Sequence, residues 1–165
     1  MKVSEITEYG LLAALAMGLG YVESRLPVFF AVPGMKLGLT NLVVLTALYR
    51  QGERGAFLIN LVRIVLTAFT FGSMSALLYS LAGGMVSFLV MVFCRRSGWF
   101  GMTGVSVAGG VAHNMGQLVV AALVLETARL VYYLPFLLAA GTAAGTVIGL
   151  MGAGVVRRLP AGQKE

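Results

Sequence analysis

Aspartate is absent from this 165-residue chain, and all six of its acidic residues are glutamate. Prenyl-transfer and phosphoryl-transfer sites hold magnesium and phosphate with clustered carboxylates, typically paired Asp motifs, and no such set is assembled here. One histidine, His113, does not ligate a haem from both sides, and one cysteine, Cys94, makes neither an intrachain disulfide nor a thiolate cluster. Cys94 is expected to be an apolar packing residue near a helix end. No glycine-rich loop runs into Lys-Ser or Lys-Thr, which excludes ATP hydrolysis by a P-loop. Charge is scarce altogether, at 11% of residues against 59% hydrophobic, where soluble domains carry about 25% charged. An ordinary soluble domain is therefore excluded.

What is present is apolar length. Ile64 to Cys94, Ser97 to Leu125 and Leu130 to Val156 are free of charge over 31, 29 and 27 residues, each beyond the ~20 that a spanning helix needs. The first run extends back through Arg63 to Gly55 and is broken by Phe71-Gly72-Ser73-Met74-Ser75, which predicts two helices, Gly55 to Phe71 and Ser75 to Cys94. Two shorter stretches precede them. Tyr9 to Val22 reaches spanning length only if Ile6 to Glu8 join the helix, and Leu37 to Tyr49 is short enough for a tilted or partly re-entrant segment. The expected architecture is a single all-α transmembrane domain over residues 1–165, a six-helix bundle with tight turns.

Lys and Arg assign the orientation. Lys2, Arg50, Arg54, Arg95, Arg96, Arg157, Arg158 and Lys164 fall on one face if there are six crossings, and that face is expected to be cytoplasmic, together with both termini. The net charge of +6 then reports topology rather than nucleic-acid binding. Trp99 reads as an interfacial anchor on the same side. The first apolar segment lacks a small-residue cleavage site and reads as a retained helix.

Small residues form stripes at four-residue spacing: Gly141, Gly145 and Gly149 near the C-terminus, and Gly10, Ala14 and Gly18 near the N-terminus. Such stripes permit close helix contact, either within the chain or with a separate membrane subunit. A local echo, Ser80-Leu81-Ala82-Gly83-Gly84 and Ser106-Val107-Ala108-Gly109-Gly110, suggests two antiparallel glycine patches that meet.

Polar residues at membrane depth are the candidate site. Arg63 is expected at mid-membrane, where an Arg costs at least ~2.5 kcal/mol on insertion scales and faces a cavity or partner. Asn60 and Thr67 share its helical face. His113 and Gln117, with Asn114 beside them, form a second polar stripe, and Asn41, Tyr79 and Ser80 are expected at the same pocket. The alternative is that these groups satisfy one another as interhelical hydrogen bonds. With no acid expected at mid-depth to neutralise Arg63, an anionic ligand such as a carboxylate or phosphate is favoured. The segment from Glu23 to Lys36, with Pro27, Pro33 and Gly34 around Val28-Phe29-Phe30-Ala31-Val32, suits either an ordered lid or an interfacial loop anchored by Phe29 and Phe30.

Glu23-Ser24-Arg25-Leu26-Pro27, Pro33 to Asn41, Arg63 to Thr67, Leu78 to Gly84, Gly104 to Gln117 and Tyr132-Tyr133-Leu134-Pro135 together resemble the Gx transporter family, long labelled heptaprenyl diphosphate synthase component I. The resemblance covers nearly the whole chain and is most specific at Lys36 to Asn41 and His113 to Gln117. That family is similar to the substrate-binding subunits of energy-coupling factor (ECF) importers of the bacterial cytoplasmic membrane. The resemblance implies six helices, a gating first loop, and partners consisting of one membrane coupling protein and two ATPases, with no cofactor on this chain. It places Lys36, Asn41, Arg63, His113, Asn114 and Gln117 at the family's polar positions, and likens Gly10, Ala14 and Gly18 to the pattern that contacts the coupling protein. The expected function is capture of a small anionic or polar nutrient, without enzymatic activity. The alternatives are a non-catalytic membrane partner of an isoprenoid or quinone enzyme, and a homo-oligomeric channel.

The charge-based orientation is open to a labelling experiment in intact cells. Cysteines inserted after Gln51 and after Gly98 should be shielded from an impermeant thiol reagent, and one near Val32 should react; the reverse pattern would invert the topology.

Overall fold

The computed structural model describes residues 3–25 and 38–158, and its described residues form helices and turns with no strand. The six helices are α1 (Val3–Arg25), α2 (Leu39–Arg50), α3 (Gly52–Phe71), α4 (Met74–Ser97), α5 (Met102–Val124) and α6 (Leu134–Arg158), the last entered through a 3-10 turn at Ala128–Tyr133. Of the segment proposed as a lid, Glu23 to Arg25 close α1, and the remainder, with Pro27, Phe29, Phe30 and Lys36, lies outside the described residues.

The breaks follow local chemistry. Ser73 sits between α3 and α4 and its Oγ accepts from the Ala76 N–H at 3.1 Å, an N-cap where the sequence predicts the turn. Gly98 ends α4 at φ 71°, a left-handed conformation natural to glycine. The fifth helix consequently starts at Met102, later than the charge-free run alone implies. Glu5 and Glu8 do belong to α1, which gives that helix 23 residues. At 12 residues, α2 is only about 18 Å long, short of a ~30 Å hydrocarbon layer.

Among the described residues three segments are long and apolar enough to cross a membrane: α4, α5, and the 3-10 turn continued into α6. Phe69, Leu89, Phe93, Leu123 and Leu150 point outward and are exposed, an arrangement suited to lipid rather than water.

The helices pack in two groups, α1–α2–α3 and α4–α5–α6, joined where α3 meets α4 and α2 meets α6. In the second group backbones touch. A Cβ added at Gly110 would lie 2.6 Å from the Gly141 carbonyl oxygen, and one at Gly145 would lie 2.6 Å from Val107 Cα. Gly149 meets Thr103 in the same way. The α6 stripe is thus spent on packing against α5, and a partner subunit has no access to it. The two glycine patches of the sequence echo do not meet each other. Gly83 lies against Gly116, Gly109 against Met91, and Gly110 against α6, because antiparallel α4 and α5 are offset from the register the echo suggests.

The first group packs by side chains, with Val44, Leu45, Leu48, Ile59 and Ile64 all but inaccessible. Phe57 of α3 and Phe88 of α4 meet at a tilt of 55° with ring centroids 5.7 Å apart across the junction. At one end of the bundle Arg96 pairs with Glu53 at 2.5 Å and the Arg95 guanidinium lies 5.1 Å from the Tyr49 ring centre.

The backbone contact makes a test. Because the obstructing atom is a main-chain oxygen, Gly110→Ala should lower unfolding stability in detergent by about 1–3 kcal/mol, the usual cost of overpacking. Gly154→Ala, where nothing lies within 4 Å of the added methyl, should leave it unchanged or slightly raised. Equal melting midpoints for the two variants would refute close α5–α6 packing.

Candidate functional site

Arg63 is the centre of the polar interior. It lies in the middle of α3, one turn after Asn60, and the two are 8% and 1% exposed. The Asn60 Oδ1 accepts from Arg63 Nη2 at 2.7 Å and from Nε at 3.1 Å, so one amide oxygen fixes the plane of the guanidinium. Asn60 itself is held from α4, its Nδ2 donating to the Gly84 carbonyl at 3.1 Å. A Cβ at Gly84 would meet Ile64 Cδ1, the movable end of a side chain, at 2.6 Å and the Asn60 amide at 3.6 Å. From α2, the Asn41 Oδ1 receives a longer bond from Nη2 at 3.4 Å.

The expectation that no acid neutralises Arg63 is overturned. Glu23, in the last turn of α1, is 7% exposed and its negative charge acts on Arg63. Its Oε1 accepts from the Gly38 N–H at 2.5 Å. Gly38 precedes α2 at φ 80° and its carbonyl accepts from Asn41 N at 2.8 Å, so Glu23, Gly38, Asn41 and Arg63 are connected in one network. Sequence reading ended the first helix at Val22 and left Glu23 in a loop. The overlooked signal is spacing: Ala13, Ala16, Gly20 and Glu23 recur every three to four residues, and this is the inward face. Ala13 and Ala16 are buried, and a Cβ at Gly20 would touch Thr40.

The remaining expected site residues divide. His113 and Gln117 of α5 lie against Gly83 of α4, where a Cβ would come within 3.0 Å of His113 Cε1 and 2.8 Å of Gln117 Cγ. Gly83 and Gly84 are adjacent, so α4 carries the Asn60 contact on one side and the His113–Gln117 contact on the other. Asn114 belongs to neither cluster: its Nδ2 donates to the Leu137 carbonyl at 2.9 Å, tying α5 to the start of α6. Thr67 and Tyr79 are half-buried, and neither bonds to the Arg63 network among the described residues. Lys36 lies outside the described residues.

On α1 the small-residue stripe faces outward. Gly10, Ala14 and Gly18 are exposed, and nothing lies within 4 Å of a Cβ placed at Gly10 or Gly18. Trp99 is exposed and Cys94 is buried. A shallow hollow of about 200 Å³ at the α3–α4 turn, lined by Ala68, Phe69, Gly72, Ser73, Met74 and Leu77, is open and apolar and includes none of the polar residues above. No group of three or more His, Cys, Asp or Glu suited to a metal ion occurs among the described residues.

The profile of the family described as heptaprenyl diphosphate synthase component I matches residues 12–155. No curated protein and no solved structure matches the chain.

Asn60 should be the costliest polar side chain to remove. Asn60→Ala deprives Arg63 of its principal acceptor and the Gly84 carbonyl of its side-chain donor, and should destabilise the purified protein by about 1.5–3 kcal/mol. Asn41→Ala, losing one long bond, should cost less than about 1 kcal/mol. Thermal melts that rank the two in the opposite order would show that Asn41, and not Asn60, anchors the guanidinium.

Proposed function

The chain belongs to the heptaprenyl diphosphate synthase component I family, and from that premise we propose that it is a substrate-capture membrane subunit, similar to the substrate-binding subunit of an ECF importer. It takes up a small polar molecule from the outer face and relies on partner ATPases for energy. In this reading the chain crosses the cytoplasmic membrane six times, α2 being a short segment of the second crossing, with both termini and the Arg95–Arg96 end inside. The observation that carries it is the buried Arg63 network. A charged side chain oriented by Asn60 and Asn41 within an apolar helix group is more than packing needs. His113 and Gln117, across α4, are orienting groups at the same depth. The outward stripe of Gly10, Ala14 and Gly18 supports docking of a membrane coupling protein, since small residues on a lipid-facing helix let a second backbone approach.

A second reading is favoured by the family description, which makes the chain one component of a synthase. It would then be a non-catalytic membrane partner of a soluble prenyl diphosphate enzyme. Copurification from gently solubilised membranes separates the two: an ATPase pair with a membrane coupling protein supports capture, and a soluble prenyl synthase supports the alternative.

Arg63→Gln should weaken ligand binding about ten- to hundredfold, the equivalent of about 1.5–3 kcal/mol for a lost charge-assisted hydrogen bond. Arg63→Lys should restore only part of it, because a point charge lacks the bidentate fork. Affinity and melting midpoint measured on the same preparations decide the role. Lost stability with unchanged affinity in the surviving folded protein would remove Arg63 from the binding site.

A further inference from the structure

The end of the bundle where α2, α4 and α6 finish is held positive by arginine. Each of the three helices places Arg in its last turn: Arg50 in α2, Arg95 and Arg96 in α4, Arg157 and Arg158 in α6. These ends lie side by side. The Arg95 guanidinium stands 5.1 Å from the Tyr49 ring centre. Helix α6 runs parallel to α2, since a Cβ on Gly38 would lie 4.0 Å from Ile148 and one on Gly152 would lie 3.1 Å from Leu45. Arg50 and Arg157 each follow the Leu45–Gly152 contact by five residues, which brings them to a common level. Arg54, exposed in the first turn of α3, completes a set of six. The positive sign does not depend on the residues outside the described range, which hold one acid, Glu165, and three lysines. Glu23 and Glu126 belong to the opposite end of the bundle, so six arginines face at most four glutamates here.

Helix dipoles and membrane topology both place positive charge at helix C-termini on one face, yet lysine serves either purpose as well. All six cations named here are arginine, whose planar fork holds a phosphate through two parallel bonds. Depth agrees with that chemistry. Trp99 is 88% exposed within about a turn of Arg95 and Arg96, and an exposed Trp marks the interfacial layer where lipid headgroups lie. Arg157 and Arg158 are exposed at the end of α6. We propose that this end of the bundle binds the headgroup of an anionic phospholipid, its phosphate on Arg157 and Arg158, with the ends of α2 and α4 supplying the surrounding positive field. Each such charge at a bilayer surface adds to the attraction for anionic lipid. Binding of this kind depends on neither functional reading above.

The test is native mass spectrometry of the full chain released from nanodiscs of equal phosphatidylcholine and phosphatidylglycerol. Phosphatidylglycerol should be retained about tenfold or more over phosphatidylcholine. With Arg157→Gln and Arg158→Gln combined, that preference should fall about fivefold or more, at an unchanged melting midpoint because both positions are exposed. Arg129→Gln, at the opposite end, should leave the preference as it is. Arg157→Lys with Arg158→Lys should restore only part of what the Gln pair loses; full restoration would reduce the arginines to topological charge and overturn the assignment of a phosphate fork. Equal retention of the two lipids by the wild-type chain overturns the proposal, as does an undiminished preference in the Gln pair. Displacement of the lipid by inorganic phosphate, but not by chloride at equal ionic strength, would assign the arginines to a soluble phosphate. An acidic polypeptide that copurifies with the wild-type chain and not with the Gln pair, at equal lipid retention, would assign them to a protein. Either result overturns the lipid headgroup.

Discussion

A guanidinium in the middle of an apolar helix has to be compensated, and the arrangement of half the molecule answers that requirement. Arg63 takes its main acceptor from its own helix, one turn back at Asn60. Asn60 in turn donates to the Gly84 carbonyl of α4, which ties α3 to α4 at the guanidinium. The opposite charge comes from the end of α1, and Asn41 of α2 supplies a second oxygen. Four helices thus converge on one side chain. Breaking one link leaves a buried polar group whose full desolvation cost is exposed, whereas the intact network contributes only modestly to net stability. Such a network specifies an arrangement more than it adds stability.

The two helix groups solve the packing problem differently. In α4–α5–α6 the glycines bring backbones into contact, which yields dense dispersion contacts with no side-chain rotamers to fix. In α1–α2–α3 branched and long apolar side chains fill the interior, and space between backbones is larger. A buried Arg needs that larger spacing, and the polar network lies in this group. The Gly83–Gly84 pair is where the two modes meet. Gly84 accepts from Asn60 through its carbonyl and Gly83 admits His113 and Gln117, so a shift of α4 along its axis would move both contacts at once.

Helix number, the break at Gly72–Ser73, the burial of Arg63 and the pairing of Asn60 with it were legible from hydropathy and from three-residue spacing. The α6 stripe left two possibilities, packing or docking, because small residues in sequence carry no direction; only the Val107 and Thr103 contacts decide it. Glu23 was not legible as Arg63's counter-charge. A carboxylate beside Arg25 and a proline two residues further on looks like loop, and its electrostatic reach to a residue 40 positions away is set by the packing of α1 against α3. Asn114 was grouped with His113 on sequence adjacency, yet adjacent residues on a helix differ by about 100° in direction, which sends Asn114 to α6 and His113 to α4.

The placement of the carboxylates also bears on the family's description as a synthase component. Ionisation of an allylic diphosphate needs divalent metal held by several converging carboxylates. In this chain Glu8 is bonded to Gln51 and Glu53 to Arg96 at the end of the bundle where α2 joins α3. Glu23 is buried beside Arg63 at the opposite end of α1, and Glu126 stands in the turn after α5. Glu5 lies near Glu8 at the start of α1, the two acting on Tyr9 together, and among the described residues no three of these groups come together as a metal site would need. Three of them already serve a positive or amide partner within the chain. Recruiting them to a metal would dismantle the contacts that hold α1 to α2, α3 to α4, and Arg63 in place. The description of the family as a synthase component is therefore met, among the described residues, by carboxylates spent on contacts within the chain and not by a metal-binding cluster.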